Sequence, residues 1–123
     1  MLTLVLFGRK CQTDGYHRLM TSQQKMKVLL HAPTPAALER ARNNAANLKR
    51  EAPDAQVRIV ANAQAVAVAL DAPHAELDAL TWVCSITLTR TGRENRPPLQ
   101  PTPGPAILEI ACLQQQGWLY IRA

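Results

Sequence analysis

The chain has 123 residues, a formal net charge of +5 and 47% hydrophobic residues, enough to bury one domain's core without disulfide or metal support. Only 4% is aromatic, so that core must be built from Val, Ile, Leu and Ala. Cys11, Cys84 and Cys112 are widely spaced, with no Cys-x-x-Cys and no paired histidines, which excludes a disulfide framework and a structural zinc site and fits a reduced, cytoplasmic setting.

The charge is unevenly placed. Residues 1–27 hold five basic residues against Asp14 alone, whereas the remainder holds nine basic and eight acidic ones. A nearly neutral body lacks the clustered Lys and Arg of a phosphate-binding face, so nucleic acid is not expected as a partner. LTLVLF, close to the start, is too short to span a membrane, and no membrane partner is expected. Residues 1–24 read as an extension, poorly ordered or added as an edge element, before a single domain over residues 25–123.

KVLLHA (27–32) is an aliphatic run closed by PTP and reads as a buried strand. Thr34 can cap the next helix, with Pro35 in its first turn, where a missing N–H costs nothing. That helix sets Leu38, Ala41, Ala45 and Leu48 on one stripe, carries Lys49 and Arg50 in its last turn, and is ended by Pro53. QVRIVANA (56–63) is a second strand, QAVAVAL a short helix stopped near Pro73, and LTWVC (80–84) a third strand. SITLTRTG is a short helix stopped by Gly92. The proline-rich stretch 93–105 leaves room for at most a very short strand near Leu99. AILEIACLQQQ is a helix with Ile107, Ile110, Ala111 and Leu108 on its apolar side, Cys112 packed among them, and Gly117 as its stop; WLYIR (118–122) is the last strand. Strand–helix alternation with near-continuous aliphatic strands predicts an α/β fold, a three-layer sandwich on a mainly parallel sheet of four or five strands.

In an open parallel sheet, ligands gather beyond the carboxyl ends of the strands. Those ends bring His31, Asn62 and Cys84 to one edge. Cys84 also opens the following helix, where free N–H groups and the positive dipole end favour its thiolate, the form that attacks or carries sulfur. Ser85 and Thr87 supply hydroxyls in that first turn, and Arg90 and Arg93 can reach an anionic group nearby. Each residue has an ordinary alternative. Cys84 can be a small buried hydrophobe, His31 a structural histidine, Asn62 a turn former, Ser85 and Thr87 capping residues, and the two arginines a solvated face. No metal ligand set and no cofactor motif are present.

KVLLHA, ARNNAANLKREAPDAQVRIVANAQAV, VCSITL and ILEIACLQQQGWLYIR, in that order, resemble the DsrE/DsrF-like family of intracellular sulfur-oxidation and sulfur-relay proteins, as a single-domain member. The most specific parts are the helix with Asn43, Asn44 and Asn47, and Leu113 to Trp118 followed by Tyr120 and Ile121. The resemblance implies a small α/β domain that assembles into trimers or hexamers and needs no cofactor. It implies that Cys84, three residues ahead of Thr87, accepts a persulfide sulfur from a donor protein or small persulfide and passes it to a partner. The chain departs from the family in the turn after the second strand, where glycine is common and Ala61-Asn62-Ala63-Gln64 stands here, and in its proline-rich loop. The competing expectation is a non-catalytic oligomeric module of the same fold that binds a small ligand or protein, with an incidental thiol.

Overall fold

The structure, a computed structural model, describes residues 25–123. The expected N-terminal extension, with Cys11, lies outside the described residues.

Strands β1 (Lys27–Ala32), β2 (Gln56–Ala61), β3 (Thr81–Val83), β4 (Gln100–Pro101) and β5 (Leu119–Arg122) form one sheet in the order β4-β3-β2-β1-β5. Every pairing is parallel. Between them run helices α1 (Pro35–Glu51), α2 (Ala65–Asp71), α3 (Ser85–Thr91) and α4 (Ala106–Gln115), with a 3-10 turn at Asp78–Leu80. The fold is therefore the expected α/β sandwich, with five strands. The chain steps outward from β1 to β4 and then returns past β1 to β5. Right-handed crossovers assign α1 to α3 to one face under this topology and α4 to the other.

Local chemistry explains the boundaries. The Thr34 hydroxyl oxygen accepts the Ala37 N–H at 3.1 Å, with Pro35 starting α1. Leu38, Ala41 and Ala45 on α1 are fully buried, whereas Leu48 only borders the core. Gly92 takes the left-handed conformation (φ 67°) that closes α3. β4 is two residues long and includes Pro101, which an outermost strand tolerates because one of its edges needs no N–H.

Two expected strands end early. β2 stops at Ala61, because Asn62 has already turned: its N–H reaches Ala32 O, and its carbonyl accepts the Ala65 N–H. β3 starts at Thr81 and leaves Cys84 as the residue that caps α3. The larger correction concerns α4. Its buried side is Ala106, Ile110 and Leu113, while Ile107 is 73% and Leu108 56% exposed, Ala111 is exposed and Cys112 is half-buried. Apolar residues fill more than half of this helix's circumference, so hydrophobicity alone does not select the face that meets the sheet.

A polar cluster ties the elements together at the carboxyl end of α2. The Asp78 carboxylate, almost wholly buried, takes Arg96 at 3.0 Å, Arg42 at 3.6 Å and the His74 N–H at 3.1 Å. Arg96 also donates to Ala69 O and Leu70 O, and Arg42 to Ala72 O. These bonds satisfy carbonyls left over at the end of a helix. At the amino ends of the strands, the Arg58 guanidinium lies 3.9 Å from the Trp82 ring centre and 4.9 Å from that of Trp118. It also pairs with Glu109 of α4 at 3.2 Å. No helix among the described residues is long and apolar enough to cross a membrane.

Candidate functional site

Side chains alternate across a strand, and the register therefore fixes which residues share a face. Leu29 pairs with both Arg58 and Tyr120, and Val60 with both His31 and Trp82. Leu29, His31, Arg58, Val60, Trp82 and Tyr120 thus face one way. Because Arg58 bonds Glu109, this is the face that α4 covers.

At the carboxyl edge of that face stands a polar row. Asn62 Oδ1 lies 3.0 Å from His31 Nε2, and the Tyr120 hydroxyl lies 2.7 Å from Nδ1 of the same ring. Asn62 Oδ1 can only accept, so Nε2 carries the proton, and in the neutral ring Nδ1 takes the tyrosine hydroxyl as its donor. His31 and Asn62 are thus brought together, as the strand ends suggest, and Tyr120 joins them. The sequence marks Tyr120 only as a strand residue. Its part follows from β5 pairing beside β1, a neighbour relation that spans most of the chain.

Cys84 sits one strand further along. Its N–H donates to Ala61 O at 3.0 Å, which sets its backbone beside the turn that begins at Asn62. Among the described residues no hydrogen bond joins Cys84 to His31 or Asn62. The thiol has its own donors: the N–H and hydroxyl of Thr87, the N–H of Ile86 and the N–H of Ala106 at the start of α4. Burial pushes the Cys84 pKa up, but these four hydrogen bonds to sulfur outweigh it and hold the pKa below the ordinary value. Cys84 is only 6% exposed, so little water competes with those donors.

The proline-rich stretch, which reads from sequence as a mere crossing, builds one wall of this site. Thr102 N–H donates to Val83 O, and Thr102 Oγ1 accepts the Ser85 N–H at 3.1 Å. The Ser85 hydroxyl donates to Gly104 O at 3.1 Å. Ser85 therefore secures the loop that delivers the Ala106 N–H and makes no bond to the sulfur, whereas Thr87 supports the thiol directly. Thr102 and Ala106 were not evident from sequence because their partners lie some twenty residues away on a segment with no periodicity.

No hydrogen bond joins Arg90 to Cys84. Arg90 lines, with Thr87 and Thr91, an open groove of about 530 Å³ between α3 and the start of α2. Arg93 lines the same groove but is held by Asp71. Across it lies Ala63, whose φ of 51° is left-handed. This left-handed conformation costs an L-residue about 1–2 kcal/mol.

Among the described residues no group of three or more His, Cys, Asp or Glu side chains is placed to hold a metal ion. Cys84 and Cys112 are both free thiols. In comparisons with known proteins, the chain matches no family model and no curated protein.

Proposed function

We propose that this chain is a sulfur carrier of the DsrE/DsrF-like kind, in which the Cys84 thiolate accepts a sulfane sulfur and passes it on. The observation that carries this reading is the place of Cys84 as the residue that opens α3, where the donors of Thr87, Ile86 and Ala106 favour its thiolate and, among the described residues, no acid or base is hydrogen-bonded to it. Such a cradle favours a sulfur anion at rest, and a carrier needs that twice, as the thiolate before uptake and as the persulfide anion afterwards.

The step balances without a cofactor. Cys84–S⁻ attacks the outer sulfur of R–S–SH, a new S–S bond forms, and the old one breaks with its electron pair leaving on R–S⁻. The proton of the persulfide passes to that departing thiolate, giving R–SH and Cys84–S–S⁻. Transfer to an acceptor repeats the exchange with Cys84 as the leaving group. The natural donor and acceptor in this reading are thiol-bearing proteins or small thiols of a reducing cytoplasm.

Incubation with a persulfide donor is expected to add the mass of one sulfur atom to Cys84, released again by dithiothreitol and absent in Cys84→Ser. Sulfur found only on Cys11 or Cys112 would overturn the reading in favour of a binding module with an incidental thiol.

Assembly into a trimer or hexamer belongs to the same reading. Its support lies among the described residues: no strand there pairs with the outer edge of β5, every β5 residue is exposed, Leu119 and Ile121 included, and Ile107 and Leu108 are exposed on α4. Exposed strand edges and apolar residues of this size are normally covered by another chain. Light scattering is expected to give a mass several times that of the chain, and Ile107→Lys with Leu119→Lys to lower it. A wild-type protein that runs as a monomer at micromolar concentration would refute the assembly.

A further inference from the structure

The groove between α3 and the start of α2 offers a second element to the thiol site. Its lining consists of Ala63, Gln64, Val66, Ala67, Thr87, Arg90, Thr91 and Arg93, without a single carboxylate. Arg93 is neutralised by Asp71, but Arg90 has no hydrogen bond or ion pair to any described residue. Arg90 stands one turn beyond Thr87 on the same wall of the groove. Thr87 belongs to both places: it lines the groove, and its hydroxyl and N–H hold the Cys84 sulfur. A ligand lying along α3 would therefore meet an unspent cation at one end and, at the other, Thr87, the residue that stands between the groove and the nearly buried Cys84 sulfur.

Accepting the sulfur-carrier reading, we infer that this groove takes the anionic end of a small sulfur donor: a persulfide on an amino acid or short peptide whose carboxylate is several bonds from the sulfane sulfur. The spacing selects that class. Cys84 and Arg90 are six positions apart, roughly 9 Å along the helix axis, and an arginine side chain is long enough to cover part of that distance. A carboxylate a few bonds from the reacting sulfur spans the remainder, whereas a compact inorganic ion such as thiosulfate meets either the cation or the sulfur. Hydroxyls of Thr87 and Thr91 and the Gln64 amide supply polar contacts along the way, and the volume falls in the range of small-molecule sites.

The test uses two disulfides that report on the thiol with and without a negative charge. Dithiobis(nitrobenzoate) carries carboxylates several bonds from its sulfurs, whereas dithiodipyridine is neutral at pH 7. In each, the Cys84 thiolate attacks one sulfur and expels the other half as a coloured thiolate or thione. Full-length protein lacking Cys11 and Cys112 is compared with its Arg90→Gln and Arg90→Glu variants by the ratio of the two rate constants. Arg90→Gln is expected to lower the rate for the anionic reagent about fivefold, and Arg90→Glu further, while the neutral reagent changes less than about twofold. Raised salt should erase the difference. A fast thiol whose ratio is the same in all three proteins would overturn the groove assignment and leave the sulfur-carrier reading standing. A thiol slow toward both reagents would overturn the carrier reading and the groove with it.

Discussion

Alkylation of Cys84 is expected to follow a thiolate that forms below the ordinary cysteine value, and Thr87→Val to slow that alkylation at pH 7 by about tenfold. The threonine hydroxyl and N–H are both donors to the sulfur, and valine removes the first while keeping the shape and the second. A hydrogen bond to a charged group is worth about 1.5–3 kcal/mol, so losing one costs a substantial share of the thiolate population. The measurement is the rate of iodoacetamide reaction against pH in a protein lacking Cys11 and Cys112. An unchanged rate in Thr87→Val, with a midpoint at or above that of free cysteine, would make Cys84 a packing residue. The sign carries into stability. A thiol whose folded pKa is depressed adds stability that is fully present above the unfolded thiol's pKa. That contribution is lost as pH falls through the lowered folded value.

Asp78→Ala should be the most damaging single change outside the aliphatic core, lowering the unfolding free energy by about 3–5 kcal/mol. The carboxylate is the one anion among Arg42, Arg96 and the His74 N–H, and removing it leaves Arg42, only 14% exposed, without its counter-charge. Burial already lowers the Arg42 pKa, with Asp78 opposing and Arg96 adding to the effect. The Arg42 Nε has no hydrogen-bond partner even with Asp78 in place, so little slack exists. Urea denaturation followed by circular dichroism tests this. A loss under about 1 kcal/mol would mean that water reaches the two guanidinium groups and replaces the carboxylate.

What could be read from the chain beforehand follows the range of the forces involved. KVLLHA and QVRIVA are strands because aliphatic runs of that length, closed by turn residues, have few alternatives. Thr34-Pro35 and Gly92 mark helix ends because capping acts over three or four residues. The Cys84–Thr87 relation was equally local and therefore visible, as was the delivery of His31 and Asn62 to one edge. Tyr120, Thr102 and Ala106 were hidden because each meets the site through a pairing some twenty to ninety residues long. The Asp78 hub was hidden for the same reason, its arginines lying on α1 and in the proline-rich loop. Ile107 and Leu108 belong to the apolar side of α4 and are nonetheless exposed, because the sequence reports that a residue is apolar and not whether anything stands opposite it.

The placement of β5 next to β1 has a temporal meaning. Strands β1 to β4 pair in the order in which they are made, but the second edge of β1 is filled only by β5. His31 and its Tyr120 partner are made 89 residues apart. Cys84 would emerge with the Ile86 and Thr87 donors of its own helix and gain the Ala106 N–H only when α4 docks. Part of what favours the Cys84 thiolate is therefore local to α3, and part depends on the docking of α4.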